Sequence, residues 1–342
     1  MKWHHPLPPT LWLGVLLTGV ALIFALSLAV GSVSIPLADV ITILLGGTPT
    51  KPNWGNIIWQ FRLPRSLTAM LAGAALAISG LQLQTLFHNP LAGPFVLGIS
   101  SGASLGVAIM VLTSQQLNWL YGDLSLTTAA CLGAASVAGL IILTSKIVRN
   151  PVALLVLGLI FGYLTGAIVN ILLQLSSAQQ VQQFVIWTFG SFGGVTWKQL
   201  PLLTGGILVG GTIAIANLAA LNVMLLGSVQ AQALGVNLDR LRFLVLLSSS
   251  ILAGIVTAFC GPIAFLGVAV PHLCRGILQT ADLHRLLPAV ILVGAGLALM
   301  ADLLSQLLVR SSVLPLNSIT ALMGAPILIW IILRDRVSRH YR

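Results

Sequence analysis

The sequence predicts an all-α protein that crosses a membrane about ten times, with both termini on the cytoplasmic side. Two observations carry this. Of 342 residues, 57% are hydrophobic and only 6% charged, and the apolar residues come in unbroken runs of helical length. Globular chains hold about 25% charged residues, and a soluble core cannot hide this much apolar surface, so the solvent is lipid. A membrane barrel would alternate apolar and polar at every second residue, which these runs do not.

Blocks bounded by Pro, Gly, Asn or charge place the spans at 10–31, 62–85, 94–113, 124–145, 151–174, 197–218, 241–260, 263–278, 286–308 and 314–334. The first run, 22 residues from Thr10 to Gly31, exceeds the roughly 7–15 apolar residues of a secretory signal, so it reads as a retained span. The eighth is short and interrupted by Pro271, and an amphipathic piece around 180–192 is expected at a surface. The whole chain, 1–342, reads as a single transmembrane domain.

An even number of spans puts both ends on one side. If that side is the cytoplasm, the inside basic residues are Lys2, Lys146, Arg149, Arg240, Arg242, Arg275, Arg285, Arg334, Arg336, Arg339 and Arg342, eleven in all. Outside remain five: Lys51, Arg62, Arg65, Lys198 and Arg310. The excess of cytoplasmic Lys and Arg fixes this orientation. It also leaves Arg62 and Arg65 outside, against the bias. The net charge of +10 is thus a topology signal, not a nucleic-acid footprint. The segments LAGAALAISG (71–80) and LAGIVTAFCG (252–261) agree at five of ten positions and run in opposite senses. That fits an inverted repeat, or only the recurrence of small residues in packed membrane helices.

Several chemistries are missing. No Gly-Lys dipeptide occurs, so there is no phosphate-binding loop with its lysine. Glutamate is absent, which excludes a zinc-protease helix. The six histidines lie at termini or in turns, and His272 and Cys274, two apart, would point away from each other on a helix. No metal site is expected. Cys131, Cys260 and Cys274 have no paired spacing and read as small packing residues.

Two features do carry function. Asp302, inside the ninth span, is followed by Gln306 and Arg310 at helical spacing, giving a polar stripe on one face. An intramembrane acid of this kind is either satisfied by a neighbouring helix or part of an ion pathway. The segment LNVMLLGSVQAQALGVNLDRLR (221–242) breaks the hydrophobic rhythm. Gly227-Ser228 can end one helix and cap the next, Gly235 can end that in turn, and Asn237 or Asp239 can start the seventh span. A connector in a helical bundle needs only about 2–8 residues, so a folded cytoplasmic loop here points to a docking surface.

The chain resembles the permease subunits of iron–siderophore, haem and cobalamin ABC importers, the FecCD-like family with the type II importer fold. The resemblance rests on RLPR at 62–65, SGLQLQTLFHNPLAGPFVLGISSGASLG at 79–106, WTFGS at 187–191 and LNVMLLGSVQAQALGV at 221–236. CGPIAFLGVAVPHLCR at 260–275, AD at 301–302, LP at 314–315 and GAP at 324–326 complete it, in order over nearly the whole chain.

The resemblance implies a bacterial inner-membrane permease that works beside a second, identical or homologous permease. Two ABC ATPases would sit on the cytoplasmic face, using ATP and Mg that this chain does not bind, and a periplasmic or lipid-anchored binding protein would dock outside. It implies that the loop at 221–240 is the coupling element, with Gly227, Ala231, Leu234 and Gly235 at the contact and Arg240 and Arg242 beside it. It implies docking of the binding protein on Arg62 and Arg65, and a cytoplasmic gate at Asn89, Pro90 and Leu91. A third docking arginine is expected four residues after the aspartate of the ninth span, where this chain has Gln306; Arg310, one turn on, is the substitute. Where the family carries small hydroxyls at a second inner gate, this chain has Asn150, Pro151 and Val152. The substrate implied is a ferric siderophore, with haem or cobalamin as alternatives. From a different class, an ion-coupled secondary carrier would use Asp302.

Overall fold

A computed structural model describes residues 9–113, 125–308 and 314–340. Among the described residues every regular element is helical. In chain order they are α1 (Pro9–Ala29), α2 (Leu37–Leu44), α3 (Pro52–Asn56), a π-helical turn (Ile57–Arg62), α4 (Leu63–Leu86), α5 (Ile99–Leu112), α6 (Ser125–Ile147) and α7 (Pro151–Gln174). Then come α8 (Ala178–Thr188), α9 (Leu200–Ala216), α10 (Leu218–Met224), α11 (Ser228–Ala233), α12 (Leu238–Cys260), α13 (Leu266–Leu278), α14 (Leu283–Leu307) and α15 (Leu316–His340). Among the described residues six helices are long and apolar enough to cross a membrane, α9 and α10 form a pair bent by 51°, and three shorter apolar helices are Ile99–Leu112, Leu266–Leu278 and Leu316–Ile329. These segments match the ten expected spans one for one.

Hydrogen bonds between distant parts of the chain agree with the alternation of sides. Trp197 donates to the Trp59 carbonyl, Ser191 N to Cys260 O, and Asn317 N to Phe189 O, all at ends expected outside. At ends expected inside, Arg242 Nη2 donates to Arg149 O at 2.9 Å, and Asn222 Nδ2 donates to Asp282 Oδ1 at 3.2 Å.

The core is arranged around α4, which packs against α14, α12, α13 and α9. Gly73 of α4 and Gly294 of α14 bring the two backbones together: a Cβ on Gly73 would stand 2.2 Å from the Gly294 carbonyl oxygen. Without side chains between them the helices gain dispersion contact along their backbones, the main attraction available where lipid supplies no hydrophobic drive. A second, smaller cluster at the outer end gathers Leu28, Ile35, Val40, Ile43, Ile58 and Leu63 beneath α2.

The second span begins earlier than expected. Helix runs without a break from Pro52, not Arg62, because the chain passes Pro64 in a widened register: Leu63 N bonds to Ile58 O, five residues back. Proline has no N–H to continue the α pattern, and a single π turn absorbs that loss. The expected surface piece is α8, opened by a capping box of Ser177 and Gln180. The glycines that match between the two similar segments do different work. Gly73 meets α14 closely, while its counterpart Gly254 only touches Ala134 and Ile99.

Candidate functional site

The two arginines of RLPR flank the start of α4, Arg62 ending the π turn and Arg65 in the first turn of α4, and the structure treats them differently. Arg62 is buried, 8% exposed, beneath the α1–α2 connection. Its guanidinium donates to the Leu28 carbonyl at 2.7 Å and to the Val33 carbonyl. The last carbonyls of α1 lack intrahelical donors, and Arg62 supplies one. Arg62 thus braces the lip from below instead of standing free at the mouth. Arg65 keeps 19% of its side chain exposed and pairs with the buried Asp302. Its Nε donates to both carboxylate oxygens at 2.9 Å and its Nη2 to Oδ1 at 2.8 Å. Gln306 Nε2 donates to Oδ2 at 2.9 Å, so the stripe expected on α14 exists at Asp302 and Gln306. Arg310 lies outside the described residues.

Asp302 is thus satisfied by the neighbouring helix α4. A carboxylate gripped by a forked guanidinium and an amide holds two helices in register, because both partners are planar and the bonds are charge-assisted.

At the inner end, α4 runs into the Asn89-Pro90-Leu91 loop, where the gate is expected. Asn89 Oδ1 accepts from Leu91 N at 2.9 Å, a turn closed by the side chain itself, and Leu91 is left 45% exposed. His88, with a left-handed φ of 47°, sends Nε2 to within 2.9 Å of the Met224 carbonyl at the end of α10. This loop is thereby hydrogen-bonded to the approach to α11. Asn150 also holds local structure together. Its side chain accepts from Val152 N at 2.8 Å and from Ala153 N at 3.3 Å, capping α7, with Pro151 in the first turn.

The expected coupling element falls on α11, a short helix between two glycines with positive φ, Gly227 at 107° and Gly235 at 90°. Gly235 ends it in a Schellman turn: its N–H bonds to Gln232 O, and Val236 N bonds to Ala231 O. A β-carbon at such a φ is strained, so glycine fixes the turn. Asn237 then caps α12 by accepting from Arg240 N at 3.0 Å. Ala231 is fully buried, whereas Leu226, Val229 and Leu234 are 63%, 76% and 65% exposed. Arg242 turns inward to the carbonyls of Arg149 and Ser145.

Two features of this region have no simple sequence signature. A cavity of about 530 Å³ separates α11 from the Asn89 loop, lined by His88, Arg149, Pro151, Met224, Gln232 and Asp239 among others. Nearer the outer side, a pocket of about 340 Å³ is lined by Phe95, Ser101, Ser104, Phe189, Asn317 and Ser318 among others. Its polar groups come from separate helices, so no local motif announces it. Among the described residues no three His, Cys, Asp or Glu side chains converge.

A many-helix membrane protein with no nucleotide loop of its own, a folded cytoplasmic loop and a polar pocket between helices is the permease half of a driven transporter. The chain belongs to the FecCD transport family, whose model matches residues 19–334. This is a family of permease subunits of ABC importers, in which separate subunits hydrolyse ATP. The chain is 37% identical to the haemin transport system permease HmuU of Yersinia pestis, over 95% of this chain and 97% of that one. It is 34% identical to the vitamin B12 import system permease BtuC of Shigella boydii, over 95% of each. Among solved structures, a metal-chelate type ABC transporter in an inward-facing conformation superposes with a TM-score of 0.83. It is 30% identical and covers 94% of this chain and 98% of its own.

Proposed function

We propose that this chain forms, with a second permease, the membrane pathway of an ATP-driven importer of bulky metal chelates, and that a ferric siderophore is its cargo. The observation that carries the reading is the surface of α11. Val229, with Leu226 and Leu234 just before and after, holds apolar side chains out to the cytoplasm on a helix too short to be stable without support. An exposed apolar patch of this kind marks a protein contact, and two ABC ATPases are the partners that fit.

In this mechanism a loaded binding protein in the periplasm lands on the outer mouth. Arg65 is assigned the docking contact, since its Nη1 makes no hydrogen bond among the described residues and part of its surface is open; Arg62 holds the lip in place from below. Rim charges of this kind set orientation and encounter rate more than affinity. The ligand passes the hydroxyl-lined pocket, whose neutral donors and aromatic edges suit oxygen-rich chelates. ATP binding in the partner displaces α11, and Leu91 and its counterpart on the second permease open or close the inner exit. Only the difference in how the ATPase states bind the permease states drives the cycle.

Haem and cobalamin, the cargoes named for HmuU and BtuC, are the alternative substrates. The ion-coupled carrier is disfavoured by the Asp302 geometry, because every close partner of that carboxylate fixes it in place. The experiment is purification of the chain from native membranes in mild detergent. A stoichiometric ATPase is expected, and it is lost with Val229→Asp or Leu234→Asp while the chain keeps its monodisperse profile. A lone chain that drives pH-dependent uptake would replace the importer by the carrier. Proteoliposomes of the complex supplied with a ferric siderophore, haemin or cyanocobalamin then sort the cargo.

A further inference from the structure

Two polar joints sit at opposite ends of α14. At its outer end Asp302 holds Arg65 of α4. At its inner end Asp282 caps the helix by accepting from His284 N at 3.0 Å, and the same Oδ1 accepts from Asn222 Nδ2 at 3.2 Å. Asn222 returns the contact, its Oδ1 accepting from Leu283 N at 3.0 Å. Asn222 belongs to α10, the helix that leads directly into α11. The two aspartates are twenty residues apart, about 30 Å of helix, which is the thickness of the hydrocarbon layer.

Between the joints α14 lies backbone to backbone on α4. A Cβ on Gly294 would stand 2.6 Å from the Gly73 carbonyl, and Ala77 and Ala298 fill the remaining space. Neither helix can slide or roll without opening this contact, and packed interfaces of this kind switch between discrete states rather than deform. α4 ends in the Asn89 loop, so the pair presents the proposed docking arginine at one end and the proposed gate at the other. Pro288 in the second turn of α14 offers no N–H to the His284 carbonyl. The first turn is therefore less firmly tied to the rest of the helix, and its direction depends on the side chains that hold it. Asn222 is its polar holder, beside the buried Leu283 and Leu286; the Asp282–Arg285 pair is exposed and 3.6 Å long.

We propose that α4 and α14 act as one strut across the membrane, and that Asn222 and Asp282 are positioning residues that fasten the coupling element to it. Displacement of α11 by a nucleotide-driven partner then reaches Arg65 at the outer mouth through α10, the Asn222–Asp282 joint and α14. This rests on the importer reading, and the test separates the two.

The complex of the full chain with its ATPase is reconstituted with Phe61→Cys as a reporter, in a Cys131→Ser background. Phe61 is 71% exposed, just before α4. Labelling by a charged maleimide is followed without nucleotide and with ATP and vanadate. The wild-type joint is expected to give a nucleotide-dependent change in labelling rate, and Asn222→Ala or Asp282→Ala to reduce that change about tenfold while the ATPase still co-purifies and hydrolyses ATP. The conservative Asp282→Asn keeps an oxygen to accept from both His284 N and Asn222 Nδ2 and is expected to retain the response. A merely structural joint would lower yield and ATPase recruitment together and leave the response of the surviving complexes unchanged, which overturns the proposal. So does an Asp282→Asn variant that folds and hydrolyses ATP but stays unresponsive. A wild-type chain that recruits no ATPase sinks the importer reading and the joint with it.

Discussion

Helices α4 and α7 have the same length, 24 residues, and opposite fates. Nineteen residues of α4 are buried, against five of α7. Yet α7 is the greasier of the two: α4 carries Ser66, Thr68, Ser79, Gln82, Gln84 and Thr85 inside the protein, while α7 turns Val152, Ile160, Tyr163, Leu164 and Ile171 outward. In water the ranking would be reversed. Here the surroundings of the exposed helix are lipid or a second permease, so apolar side chains are at no disadvantage outside. The polar ones find partners only inside, as Gln82 does with Ser248 and Gln84 with the Val268 carbonyl. The buried helix is chosen by small size and hydrogen-bonding capacity, not by hydrophobicity.

The largest test of that contrast is a wedge. Gly73→Leu places carbon against the Gly294 carbonyl and is expected to abolish the folded, monodisperse protein in detergent-phase size exclusion, since the clash is with backbone, which has no rotamer to yield. Gly166→Leu on α7, where a Cβ meets nothing within 4 Å, is expected to leave the profile unchanged. Equal damage at both sites would break the comparison.

Next in size is Asp302→Ala. Removing the buried partner leaves the Arg65 guanidinium unpaired beside α14, a loss of up to about 3–5 kcal/mol, lessened by the exposure of Arg65. The expected result is a clearly lower Tm in thermal unfolding of the detergent-solubilised chain, with partial recovery in Asp302→Ala combined with Arg65→Met. The smallest effect is Asn150→Ala at the start of α7. A lost N-cap costs about 1 kcal/mol, so a small drop in Tm is expected with ATPase recruitment intact. If transport fails while Tm holds, Asn150 is a gate residue after all rather than a cap.

Much of the fold was legible in the residues. The ten apolar runs, their order and their sides follow from hydropathy and the placement of Lys and Arg, because the bilayer sets helix length and the cytoplasmic bias sets direction. The ends of α11 were equally readable, since Gly227 and Gly235 mark conformations that side chains resist. The start of the second span was not. The charge at Arg62 reads as a boundary, and only neighbours packed around Arg62 and Pro64 make a π turn an acceptable way past.

The site shows the same division. Sequence alone determined that Arg62 and Arg65 stand together before a helix and that Asp302 lies within another, for those are facts of spacing. It could not say that Arg65 would pair with Asp302, 237 positions away, while Arg62 turned to the carbonyls of Leu28 and Val33. Nor could it show His88 meeting Met224, or Asn222 meeting Asp282. A polar side chain within a membrane protein must find some partner, and the residue type states that need. Which partner it finds is decided by which helix ends the tertiary packing brings within 3 Å or so of one another.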